Sequence, residues 1–457
     1  MLLRRRGTVR RVEKVPGPIT SSEIFTLAWP AVLEMTLHML TWVVDVAMVG
    51  RLGANALGAV SLGGQIFFAV TFFLGSIGVG MTALVARRWG SGDTEAASRA
   101  AAAGIFSSTI LGILATVSIY FAAPSVFALA GFGSEATTSG IAYMRFAAPA
   151  ALFMIPTAAI NGVMRGTGDT RTPLLVTTIG NVVNIVGDYF LIFGVGFFPT
   201  MGVAGAAVAF SISQLIAAGF ACYALSLRRR VHLSRHSITH PDPRALRNLL
   251  AMSLPAGISV LLMDSARTVT TFIIASRGEA ILAAHQVAVT AEALSFMPGY
   301  GFALAAGIIT GQSLGANNMA RARAGVRECA RIAALVMGSI GLLFLILPKQ
   351  LVGLFSDDPA LVPLAASCLR IAAFVQIPVA ISEVLAGALR GAGDTRSGML
   401  VAALGSWGLR VPLVWMLMHY LGLSLVYIWM GMVFEWLVRT AILWAIYRRE
   451  RWTTIEM

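Results

Sequence analysis

Charge is scarce in this chain. Only 12% of its 457 residues are Asp, Glu, Lys or Arg, against roughly 25% in an ordinary soluble domain. That is too little to wet the outside of a globule this long. The missing charge is also missing in blocks. Ala100 to Ser134 holds no charged residue, and neither does Tyr189 to Leu227. Cysteine is nearly absent. Cys222, Cys329 and Cys368 are scattered in or near apolar tracts, which excludes a disulfide framework and a thiolate metal site. The six histidines form no paired-ligand motif; His232, His236 and His240 are spaced by four but fall in a polar, basic stretch. No Walker A string is present, nor a soluble stretch large enough for a nucleotide-binding domain, so no ATP-driven chemistry is expected. No nucleophile–base or metal constellation marks an enzyme, and no cofactor is implied.

Apolar residues fill the chain instead. They make up 57% of it, and the mean hydropathy is +0.79. A helix crosses ~30 Å of hydrocarbon with about 20 such residues. Twelve spans are predicted, near 24–49, 60–86, 101–123, 137–163, 173–196, 203–227, 248–275, 283–312, 325–347, 361–388, 398–419 and 424–447. The segment Gly75 to Gly80 looks like a phosphate-binding glycine string, but it lies inside an apolar helix with no strand before it. Close helix packing is the better reading.

The basic residues are placed unevenly. Of the 34 Lys and Arg, 26 fall at the termini, in the even-numbered loops or within two turns of them, and three (Arg51, Arg277, Lys349) in the odd-numbered loops. This asymmetry predicts cytoplasmic termini and a multi-pass protein of the inner, or plasma, membrane. It also accounts for the net charge of +13 without nucleic acid. The basic arm before the first span (Arg4, Arg5, Arg6, Arg10, Arg11, Lys14) has no small-residue cleavage site and reads as an uncleaved tail.

The halves repeat at a constant offset of 225. Arg165 to Arg171 (RGTGDTR) matches Arg390 to Arg396 (RGAGDTR). Pro30 pairs with Pro255, Gly53 with Gly278, Gly90 with Gly315 and Arg145 with Arg370. Six spans per half give both halves the same membrane orientation, related by an axis along the membrane normal. The expected organisation is an arm at 1–23, a first lobe at 24–227, a linker at 228–247, a second lobe at 248–447 and a tail at 448–457. A cleft between two such lobes permits alternating access by rocking. Pro30 recurs at a repeat position and is a candidate hinge.

Ionisable groups inside spans are costly and are functional candidates. Glu435 and Arg439 are four apart, and Asp264 and Arg267 three apart, so each pair can neutralise itself. Asp45 and Asp188 have no basic partner within a turn of their own helices. Each tops a polar stripe: His38, Thr41, Asp45 and Asn181, Asn184, Asp188. Both helices run the same way, so the two stripes could meet. Two carboxylates with hydroxyl and amide oxygens suit Na⁺. In a low-dielectric site they equally suit a shared proton. Glu34 and Asp264 are further candidates, Glu34 as a cleft-lining acid and Asp264 as a possible second site.

The chain resembles the MATE (multidrug and toxic compound extrusion) family, within it the DinF-like bacterial and archaeal branch. The residues that carry this are Trp29-Pro30, the run Val44 to Gly53 (VDVAMVGRLG), the twin RGxGDTR loops, and Asn181 to Asp188. The resemblance covers about 20–447. It implies an all-α, V-shaped fold of two six-helix lobes. It also implies a monomeric antiporter that exports organic cations, drugs or metabolites, amphipathic or cationic, in exchange for Na⁺ or H⁺. The family's first-lobe cation site maps onto Asp45, Asn184 and Asp188. Other branches carry an acid in the seventh span; Asp264 stands one residue away from that place. The alternative is a flippase for lipid-linked precursors from the wider superfamily, which needs a strongly basic cavity.

Overall fold

The computed structural model describes Gly17 and residues 19–455, except 132, 197, 229, 232, 234–236 and 238. The basic arm before Gly17, His232 and His236 therefore lie outside the described residues.

Among the described residues, twelve helical spans run in sequence when the bent pair Glu279–Ala293 and Phe296–Gly315 is taken as one: Ser21–Gly50, Ala54–Gly75 continuing as Ile77–Gly90, Thr94–Ala130, Ser134–Gly166, Arg171–Phe193, Val203–Arg228, Pro243–Ala275, Glu279–Ala293 with Phe296–Gly315, Met319–Ile346, Val362–Gly391, Thr395–Tyr420 and Leu425–Arg448. They are called spans one to twelve below. Among the described residues there is no strand. Large apolar side chains such as Phe121, Phe272 and Phe374 are exposed on the helix bundle, as lipid-facing surfaces require.

Spans eight and eleven depart most from regular α-helix, and span ten carries a 3-10 turn at Ala373–Val375. Span eight bends by 43° between Ala293 and Phe296. Pro298 has no N–H to offer the carbonyl one turn back, and Ser295 Oγ donates to the Glu292 carbonyl at 2.6 Å. The repeat-related position in span two is Phe73, which keeps its N–H. Span eleven is wound as π-helix over Leu404–Arg410 and Met416–Tyr420.

The RGxGDTR loops are helix caps. Gly168 and Gly393 take φ of +84° and +92°, a left-handed conformation that favours glycine. Asp169 then accepts the Thr172 N–H at 3.0 Å, and Asp394 the Ser397 N–H at 3.1 Å. The hydroxyls of the same residues, Thr172 and Ser397, also donate to the two carboxylates. Asp169→Ala and Asp394→Ala should each lower stability by about 1 kcal/mol. Thermal unfolding in detergent measures this. A loss of transport with stability intact would instead give the loop a role in function.

Spans one to six form one lobe and seven to twelve the other. The lobes meet at the end that carries the chain termini. There spans two and eight cross reciprocally. A Cβ on Gly90 would overlap the Gln312 carbonyl, and a Cβ on Gly315 would overlap the Arg87 carbonyl. Residues 87 and 312 are themselves repeat partners, so this crossing lies on the pseudo-two-fold axis. The Gln312 amide reaches across to the Gly166 carbonyl at 3.0 Å. Arg321 of span nine ties down the start of span one through Glu23 and the Gly17 carbonyl, and Ser21 binds Glu328 at 2.9 Å. Gly78 and Gly80 of the glycine string press against Ala158 and against Leu249 and Ser253, as packing glycines do. The V thus has its apex at the termini end and opens at the far end, near Gly50 and Gly278.

Candidate functional site

Spans one and five pack side by side in the first lobe. Helical spacing puts Thr41 and Asp45 on one face of span one, and Asn181, Asn184 and Asp188 on one face of span five. The two faces meet. The Asp45 and Asp188 carboxyl groups approach within hydrogen-bonding reach of each other. The Asn184 amide donates to Asp188 Oδ2 at 3.2 Å. Asp188 is 1% exposed and Asn184 4%, whereas Asp45 is only half-buried. The pair is therefore arranged in depth, with Asp45 on the accessible side of Asp188.

The pair is not neutralised by the protein. Among the described residues no ion pair reaches either carboxylate. One oxygen of each carboxylate, and the Asn181 amide nitrogen, are buried without a hydrogen-bond partner. Two bare carboxylates in contact repel. The contact becomes attractive when one holds a proton, or when a small cation lies between them. The donor set is hard oxygen throughout, which suits H⁺ or Na⁺ and not a soft metal. Thr41 is buried, but its hydroxyl is turned to the Leu37 carbonyl at 3.0 Å.

Tyr143 of span four is an addition that sequence reasoning missed. It lies beside the acidic pair, in space left by Gly63 and Gly64 of span two, with its hydroxyl near Gly64. A phenol within the fourth predicted span, two residues before Arg145, was the available signal.

The other candidates stand apart from the pair. Glu34 was expected to line the cleft; it is instead 2% exposed and ion-paired with Arg165, with the Thr177 hydroxyl 3.3 Å away. That arrangement anchors span one to spans four and five. Asp264 is half-buried and pairs with Arg267 at 3.1 Å, so it is locally neutralised rather than left bare in a buried site. Pro30 is buried within an unbroken helix, where Ala28 and Val32 abut Gly301 of span eight. Glu435 is fully buried between Arg410, at 2.8 Å, and Arg439, which also donates to Ser406.

The second lobe does not repeat the acidic pair. At the offset of 225, Asp45, Tyr143, Asn184 and Asp188 become Thr270, Cys368, Leu409 and Leu413.

Comparison with known proteins identifies the family and the fold. The MatE family model matches residues 30–190 and 255–416. The chain belongs to the MATE family. Among its relatives is a probable multidrug resistance protein NorM of Thermotoga maritima, 27% identical over 435 residues, which are 95% of this chain and 94% of that one. The multidrug resistance protein PmpM of Pseudomonas aeruginosa is 30% identical over 401 residues, 85% of this chain and 82% of its own. Solved structures agree in fold. A multidrug resistance MATE transporter in an outward-facing conformation superposes with a TM-score of 0.89 at 25% identity, covering 98% of this chain and 100% of its own. A MOP superfamily transporter from Pyrococcus furiosus gives 0.90 at the same identity and coverage. The MATE fold assigns the chain to a multi-pass membrane protein, as its span count requires.

Proposed function

We propose that this MATE chain is a cation-coupled antiporter that exports small amphipathic or cationic molecules. The carrying observation is the Asp45–Asp188 contact, which lies in a lobe core where, among the described residues, no guanidinium ion-pairs with it. The named relatives are multidrug resistance proteins, which supports drugs or metabolites as the class exported. The charge asymmetry supports placing both termini in the cytoplasm, and the open end of the V then faces outward. A proton fits the direct carboxyl contact as it stands. Na⁺ would require the carboxyls to part and the Asn184 and Thr41 oxygens to turn inward. Loading the pair alters how spans one and five pack, and so biases the two arrangements of the lobes; a ligand acts on such an equilibrium only through unequal affinity for the two states.

The test is transport in proteoliposomes with a proton gradient and a Na⁺ gradient imposed separately. Uptake of a dye substrate should follow the proton gradient alone. A response to Na⁺ alone would replace the proton with Na⁺ at the same site, and a response to neither would end the antiport reading. A flippase would need a basic cavity, yet Arg165, Arg410 and Arg439 are all tied to glutamates. Scrambling of a lipid-linked pyrophosphate without any ion gradient is the outcome that would favour it.

A further inference from the structure

An apolar groove of about 360 Å³ runs between spans ten and twelve. Ile377, Pro378 and Ile381 form one wall, and Leu437, Ala441 and Trp444 the other. The groove is dry by construction. Its one hydroxyl, on Thr440, is spent on the Pro378 and Trp436 carbonyls at 2.9 and 2.8 Å. Pro378 in turn has no N–H to present.

A charged group stands at the mouth of the groove. Arg448 follows Trp444 by one helical turn, and its guanidinium lies over the Trp444 ring at 4.6 Å. Arg448 is exposed, and among the described residues no carboxylate pairs with it. The nearby Glu450 is taken by Arg323 at 2.7 Å. Along span twelve, Arg448 lies roughly 10 Å from Ala441. Tryptophan and arginine at a helix end mark the membrane–water interface. The groove therefore descends from that interface into the hydrocarbon, in the leaflet on the side of the chain termini. A free cation at headgroup depth with an apolar channel beneath it matches one kind of molecule.

We propose that this groove holds a single anionic phospholipid, with its phosphate on Arg448 and one acyl chain between Ile381 and Ala441. The first lobe lacks the two side chains that mark the groove's mouth. At the repeat-related positions the first lobe has Gly219 for Trp444 and Tyr223 for Arg448, so neither the ring nor the guanidinium is a general property of the fold.

The full chain, purified in detergent, is titrated with phosphatidylglycerol or phosphatidylcholine, and bound lipids are counted by native mass spectrometry. Phosphatidylglycerol should be retained more tightly. R448Q should weaken it about fivefold and weaken phosphatidylcholine less, because the choline cation already offsets that lipid's phosphate charge. A441W, which fills the channel, should weaken both lipids. Inorganic phosphate should not displace the lipid, because it lacks the chain. Equal retention of the two lipids, or an unaltered phosphatidylglycerol affinity in R448Q, overturns the proposal. Arg448 is on the surface, so its arm of the experiment decides the matter even if A441W fails to fold.

Discussion

Asp188→Asn should uncouple export from the ion gradient while the protein still folds. The substitution keeps the side-chain shape beside Asn184 but removes the charge that a proton or Na⁺ would neutralise. Coupling energies of about 1–3 kcal/mol correspond to effects of 5–150-fold, and the upper part of that range is expected because Asp188 is the buried member of the pair. Gradient-driven transport is the measurement, with equilibrium binding of substrate measured alongside. Binding should persist and should lose its dependence on pH or Na⁺. Asn184→Ala removes one hydrogen bond to the same carboxylate and should have a smaller effect, nearer tenfold. Normal coupling in Asp188→Asn would remove the site from the mechanism.

The largest stability effect is expected at Glu435. Its carboxylate, with no exposed surface, sits against both Arg410 and Arg439. Glu435→Gln leaves two guanidiniums buried in the second lobe without the carboxylate that ion-pairs with both. Losing one partner of a buried ionic group costs about 3–5 kcal/mol, read as a shift in denaturant-induced unfolding in detergent micelles. Replacing all three together, with Arg410→Met, Glu435→Leu and Arg439→Met, should recover most of the loss. The attraction within the cluster is largely offset by the desolvation it requires, and packed apolar side chains carry no such debt. If the triple variant stayed as unstable as Glu435→Gln, the cluster would owe its effect to packing and not to charge.

What the sequence made legible follows from the range of the physics. Span positions come from hydropathy summed over about 20 neighbours, and the halves declare themselves through the constant offset. The acidic pair was visible because each carboxylate lacked a basic residue within a turn on its own helix, a local fact. Partners far along the chain were not visible. Nothing near Glu34 announces Arg165, 131 residues away, and nothing near Glu435 on its own helix announces Arg410. Tyr143 reaches the pair from a third helix for the same reason. The bend in span eight rests on Pro298, one of many span prolines, and on the local turn at Ser295. The π-wound segments of span eleven leave hydropathy unchanged and carry no sequence period to detect.

The leucines at 409 and 413, where the first lobe has Asn184 and Asp188, leave the proposed coupling pair without a counterpart in the second lobe. Were that one pair the carrier, with one proton accepted per cycle, expelling a monovalent cation would move no net charge. The membrane voltage, which would contribute about 2.3 kcal/mol per charge at 100 mV, then adds nothing. Such a machine can concentrate its cargo only as far as the pH difference across the bilayer allows, whereas a neutral cargo would draw on the voltage as well.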